Sequence, residues 1–207
     1  MGARPSRPLV VGGTFDPVHH GHLILARAAA EQLDADRVLF IPCAQSPHKT
    51  TLTSTTPAQH RLHMLHLAVA GEPLFEILAI DLERPPPSYS YDTARHLFDL
   101  GYPKPCWLIG SDQLLALPNW HRAEELLQLV HFVVAPRPGH DATRHQLPPA
   151  FQHLADRILD LPRFDIAASN IRQRVAAGRS IRYLVPDPVL QYIHTHQLYR
   201  TAPSTTL

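Results

Sequence analysis

Short apolar, β-branched runs alternate with segments of helical period along most of this chain, and that alternation constrains its fold more than any other feature. Residues 9–11 (LVV) read as a strand, and after two glycines a helical pattern covers residues 21–33, with Leu23, Ala26, Ala30 and Leu33 on one face. RVLFIP (37–42) reads as a second buried strand stopped by proline, and residues 57–71 as a helix opened by proline and closed by glycine. The series continues with strands over 74–80, 106–110 and 131–136 and helices over 90–101 and 123–129, and residues 157–162 (RILDLP) are expected to add one more strand. Strands that alternate with helices imply an α/β fold, a doubly wound parallel sheet covered on both faces. The last third changes character. Two consecutive helices follow without a strand between them, the first with Ser169 as N-cap and Gly178 at C′, the second with Asp187 as N-cap and Pro188 at N1. These C-terminal helices are expected to pack against the carboxyl edge of the sheet.

Bulk composition narrows the function. A chain of 207 residues with no internal shift in composition is expected to form one domain, and 44% apolar against 18% charged residues is ordinary for a globular protein. Nineteen basic residues against eighteen acidic ones give a net charge of +1 and no basic block, which disfavours nucleic acid as a partner. Neither a signal peptide nor a membrane-spanning run is visible, so a cytoplasmic location is expected. Cys43 and Cys106 lie far apart without CxxC spacing, which points away from a disulfide framework or a thiolate metal site.

The stretch LVVGGTFDPVHHGH (9–22) carries the chemistry. In a doubly wound sheet, ligands bind beyond the carboxyl ends of the strands, where Gly12 and Gly13 are expected to lie. Glycines there let backbone approach a phosphate, and the following helix adds free N–H groups. Neither GxxxxGK[ST] nor GxGxxG follows the first strand. His19 and His22, three residues apart at a helix start, point the same way with His20 turned elsewhere, which suits either two imidazoles on one anion or an exposed histidine cluster. HHGH offers two convergent ligands without an HExxH frame, so no protein-held metal is expected. The histidines of HRLHMLH (60–66) drift around their helix and are expected at the surface.

GGTFDPVHHGH resembles the GGxFDPxHxGH signature of the HxGH nucleotidyltransferases, in the form found in bacterial nicotinate-nucleotide adenylyltransferases. PPSYSYDT (86–93) is similar to that family's PSYTxDT segment, and LIGSDQLLALPNWHRAEEL to its IGxDxLxxxxxW block. SNIRQRVAAGRSIRYLVPDPVLQYIHTHQLY resembles its ISSTxIR region and closing helices. The blocks occur in family order over residues 9–200.

The resemblance implies a Rossmann-like nucleotidyltransferase domain, with its core over about residues 8–200. It also implies transfer of adenylate from ATP to nicotinate mononucleotide, with Mg2+ accompanying ATP. His19, His22 and Arg172 are then the expected catalytic groups. ATP is expected to meet Gly12, Gly13, Thr14, Phe15, Gly110, Asp112 and Ser169 as well. Nicotinate mononucleotide is expected at Lys49, Ser90, Thr93, Asp112, Trp120 and His121, with the Trp120 ring on the pyridine. One block departs from the pattern: Ala167-Ala168-Ser169 stands where the family has Ser-Ser-Thr, leaving one hydroxyl. The alternatives are another HxGH enzyme, such as pantetheine-phosphate adenylyltransferase or a cytidylyltransferase, and a regulator that binds nucleotide without turnover.

Overall fold

The structure, a computed structural model, describes residues 7–45, 47, 56–139 and 143–200. One parallel sheet has the order β3-β2-β1-β4-β5. Its strands are β1 (Pro8–Gly13), β2 (Arg37–Pro42), β3 (Phe75–Ile77), β4 (Cys106–Gly110) and β5 (His131–Ala135). This is the expected doubly wound sheet. The chain steps outward from β1 to β3 and then crosses back to lay β4 on the other side of β1, so the strand order reverses between β1 and β4. Ligands of open α/β sheets bind at such a reversal. The register shows why there is room: β1 pairs with β2 as far as Gly13↔Pro42, but with β4 only at Leu9↔Cys106 and Val10↔Trp107. Beyond Val10 the two central strands part, and a cleft opens at their carboxyl ends.

Helices α1 (His20–Gln32), α2 (Ala58–Val69), α3 (Ser90–Asp99) and α5 (Ala123–Leu129) cover the sheet, with the short α4 (Ser111–Leu114) directly after β4. Alternate strand residues face opposite layers, as the pleat requires. Leu9, Val11 and Phe40 join Ala26 and Ala29 of α1 and Leu65 of α2, whereas Val10, Leu39 and Ile41 join Leu97 of α3 and Leu126 of α5. Among the described residues, no helix is long and apolar enough to cross a membrane.

Four local expectations need correction. The third strand is confined to Phe75–Ile77 because it is an edge with one neighbour, and after Leu78 donates to the Phe40 carbonyl the chain turns at Ala79–Leu82. Residues 157–162 make a single bridge, Ile158 to Val134, instead of a strand. α6 (Ala168–Ala176) starts earlier than read: the Ala167 carbonyl already accepts the Ile171 N–H at 3.1 Å, so Ala167 is the N-cap and Ser169 lies inside the first turn. α7 (Asp187–Thr195) is likewise capped by Pro186, with Asp187 as its first residue.

α6 ends as expected at Gly178, whose φ of +67° suits the left-handed C′ position. α7 packs on α2 instead of on the carboxyl edge, through a 2.8 Å hydrogen bond between His60 Nδ1 and the Tyr192 hydroxyl and a stack of His63 on Tyr192. Part of the histidine stripe expected at the surface therefore forms a helix contact.

Candidate active site

The cleft between β1 and β4 holds a cavity of about 480 Å³. Its floor depends on missing side chains. A Cβ on Gly13 would come within 3.2 Å of the Phe15 ring, and one on Gly12 within 3.4 Å of Trp107 Cζ2. Phe15 is 2% exposed and holds a left-handed φ of 50°, which its burial against Phe40 and His22 sustains. Such a conformation costs about 1–2 kcal/mol for a residue with a Cβ.

His19 is the N-cap of α1 and His22 its third residue, and the helical spacing stacks their rings at 3.7 Å between centroids, tilted by 24°. Both line the cavity, while His20 does not and donates its N–H to the Leu184 carbonyl. His22 Nδ1 accepts the His19 backbone N–H at 3.3 Å. An accepting Nδ1 puts the proton of a neutral ring on Nε2, so His22 presents an Nε2–H donor. Burial, reinforced by the Arg137 cation, pulls His19 down to about 4 from its usual 6.5. Burial and the neighbouring His19 ring push His22 well below its usual value as well. The pair is thus neutral at pH 7 in the unliganded protein, and His22 offers a hydrogen-bond donor instead of a charge.

Permanent charge comes from arginine. Arg172, on the first turns of α6, lines the cavity and donates from Nη1 to the Asp16 carbonyl at 2.7 Å. Arg137 follows β5, donates its N–H to Ser111 Oγ at 2.9 Å and places Nε 3.1 Å from Asp112 Oδ1. A Cβ on Gly110 would overlap this ion pair. Asp16, 4% exposed, lines the same wall and accepts the Tyr199 hydroxyl at 2.7 Å and the Thr56 N–H at 3.3 Å. Ser169 is exposed and absent from the cavity wall, which α6 contributes through Ala167, Ala168 and Arg172.

The opposite end of the cavity is formed by Trp120, Ser90 and Thr93. Trp120 is half-buried and meets Phe132 edge to face at 6.3 Å. The Thr93 hydroxyl is committed to the buried Asp81, which it meets at 2.7 Å, and Arg84 contacts both. His121 is exposed, lies outside the cavity wall and stacks on Tyr89 at 4.3 Å. Lys49 falls outside the described residues.

Arg137, Asp81 and Asp16 were not singled out from the sequence. The first two had a positional signal: each follows a strand whose carboxyl end faces the cleft, where ligand-contacting residues collect. Asp16 sits inside the motif itself, but the three remote groups that converge on it have no local signature.

Residues 10–174 match the cytidylyltransferase-like family. A probable nicotinate-nucleotide adenylyltransferase of Roseiflexus sp. (strain RS-1) is 42% identical over 193 residues, which cover 92% of this chain and 96% of that one. Another, from Thermomicrobium roseum, is 44% identical over 199 residues, covering 95% and 92%. The Plasmodium falciparum nicotinic acid mononucleotide adenylyltransferase complexed with NaAD shares the fold, with a TM-score of 0.73 at 18% identity over 94% of this chain and 97% of that one. Sequence identity of 42–44% sustained over nearly the full length of both relatives means that the chain belongs to the nicotinate-nucleotide adenylyltransferase family.

Proposed function

We propose that this cavity transfers the adenylyl group of ATP to the phosphate of nicotinate mononucleotide, giving nicotinate adenine dinucleotide and pyrophosphate for NAD biosynthesis. The observation that carries this reading is the stacked, buried imidazole pair that shares one cavity with Arg137 and Arg172 at the strand reversal, in a chain of this family.

A mononucleotide phosphate oxygen attacks the α-phosphorus, forming a new P–O bond. The bond to the bridging α,β-oxygen breaks, and its electron pair leaves with pyrophosphate. The nucleophile is already ionised at neutral pH, so the reaction requires alignment and charge stabilisation and no general base. His22 Nε2–H donates to the α-phosphoryl oxygens as negative charge grows there, and His19 assists from the adjacent ring. The Thr14 and Phe15 N–H groups add donors, and Gly12 and Gly13 allow the close approach. Arg172 takes the β- and γ-phosphates with its remaining N–H groups, and Ser169 offers its N–H in the first turn of α6. Arg137 adds a second cation above Gly110, and its partner Asp112 receives a ribose hydroxyl.

Magnesium accompanying the triphosphate would neutralise part of its charge, and Asp112, on the cavity wall, would help to orient the magnesium-bound phosphate. For the mononucleotide, the Trp120 ring stacks on the pyridine and Ser90 faces the nicotinate carboxylate from the cavity wall, while Thr93 keeps its hydroxyl on Asp81.

Incubation with ATP and either nicotinate mononucleotide, nicotinamide mononucleotide or phosphopantetheine tests the reading. Equimolar nicotinate adenine dinucleotide and pyrophosphate are expected, with the acid preferred over the amide. Turnover of phosphopantetheine alone overturns the substrate, and nucleotide binding without pyrophosphate release overturns the catalysis.

A further inference from the structure

Arg61 is 1% exposed in the core side of α2, and its guanidinium meets four backbone carbonyls and no carboxylate among the described residues. Nη1 donates to the Thr14 carbonyl at 2.7 Å and to that of Cys43 at 2.8 Å, Nη2 to Ala44 at 3.1 Å and Nε to Thr56 at 3.0 Å. A buried charge is costly to desolvate, and a guanidinium is the cation whose fixed fork can satisfy several acceptors at once. Core packing alone is served by an apolar residue, as neighbouring Met64 and Leu65 show. The arrangement therefore calls for a reason outside packing.

The carbonyls Arg61 chooses supply one. In a trans peptide the C=O and the following N–H point in opposite directions, so anchoring one aims the other. The Cys43–Ala44 peptide shows this: its carbonyl accepts Arg61, and its N–H donates away from Arg61 to Ser88 Oγ at 3.0 Å. The Thr14–Phe15 peptide is held the same way, with its carbonyl on Arg61, and among the described residues no acceptor pairs with the Phe15 N–H. Both residues line the cavity. We infer that Arg61 is a positioning residue for catalysis: from behind the glycine loop it fixes the Thr14–Phe15 peptide so that the Phe15 N–H faces the α-phosphate.

Two features support the assignment. Phe15 holds a left-handed φ of 50°, a conformation kept by its buried ring on one side and by the anchored Thr14 carbonyl on the other. Thr56, a second Arg61 acceptor, donates its own N–H to Asp16, which also accepts Arg172 and Tyr199. One buried cation thereby braces both residues flanking Phe15. The inference rests on the proposed adenylyl transfer.

The test compares wild type with Arg61→Lys, which keeps the charge but cannot span four acceptors. A preorganised donor to a developing oxyanion is worth about 10²–10³ in turnover, and partial loss of its aim is expected to lower kcat about 10–100-fold. KM for nicotinate mononucleotide is expected to stay within about threefold of wild type, because the pyridine end has no contact with Arg61. The Phe15 amide resonance of the wild type is expected to shift on binding α,β-methylene ATP, and to shift less in the variant. A folded Arg61→Lys with wild-type kcat overturns the inference, as does a uniform loss in kcat and both KM values. A wild-type Phe15 amide that ignores the analogue overturns it even if the variant fails to fold. A wild type that makes no pyrophosphate from ATP and nicotinate mononucleotide refutes the adenylyl transfer itself, a separate result.

Discussion

The two ends of the cavity are built differently. At the histidine end, Phe15, Asp16 and His19 are each less than 5% exposed, and the loop is tied to α2, α6 and the segment after α7 by Arg61, Arg172 and Tyr199. At the tryptophan end, Trp120 is half-buried on the connection between α4 and α5, and the exposed His121 next to it stands off the cavity wall. Where charge develops in the transition state, donors must be in place beforehand, because reorganising them during the reaction costs part of the stabilisation. Recognition of a flat ring tolerates a wall that adjusts. Substitutions at the first end should lower turnover, and substitutions at the second should weaken mononucleotide binding.

The largest effect is expected for His22→Ala. Loss of its Nε2–H donor should lower kcat about 10³-fold with ATP KM changed less than threefold, measured by steady-state pyrophosphate release. A matching rise in ATP KM with kcat intact would move His22 from the transition state to ground-state binding.

The next effect is on stability. His19 in the folded protein titrates near 4, below its usual 6.5, so the unfolded chain binds a proton between these values that the folded chain refuses. Stability from this group is complete above pH 6.5 and falls as the pH drops towards 4, by on the order of 3 kcal/mol. Urea unfolding of wild type and His19→Asn at pH 7 and pH 4.5 checks the sign: the variant should lose less stability on acidification.

Trp120→Ala should raise KM for nicotinate mononucleotide about tenfold, in keeping with about 1–3 kcal/mol for stacking on an aromatic ring, with kcat and ATP KM nearly unchanged. A larger effect on ATP would reverse the assignment of the two ends. Ser169→Ala should change ATP KM less than about threefold, because the hydroxyl is exposed and off the cavity wall while the N–H remains.

Much of the histidine end was legible because its geometry is local. Three-residue spacing at a helix start is enough to place two rings side by side, and the pair does stack. The parallel sheet was legible for the same reason, since strands buried on both faces write continuous apolar runs. What escaped depends on distant partners. Arg61 reads as one charged residue among histidines, and nothing local says that carbonyls from three segments converge on it. Spacing likewise placed His19 and His22 together but said nothing of their charge, which burial and Arg137 remove. Ser169 has the residue type of a cap, yet the N-cap is Ala167, two residues earlier, where the Ile171 N–H finds its acceptor.

A crystal structure with α,β-methylene ATP and nicotinate mononucleotide would show both substrates in place. The α-phosphate is expected against His22 Nε2 and the Phe15 N–H, the β- and γ-phosphates on Arg172, and the pyridine on Trp120. A triphosphate bound away from the Gly12–Gly13 turn, or a mononucleotide phosphate out of line with the α-phosphorus, would contradict this placement.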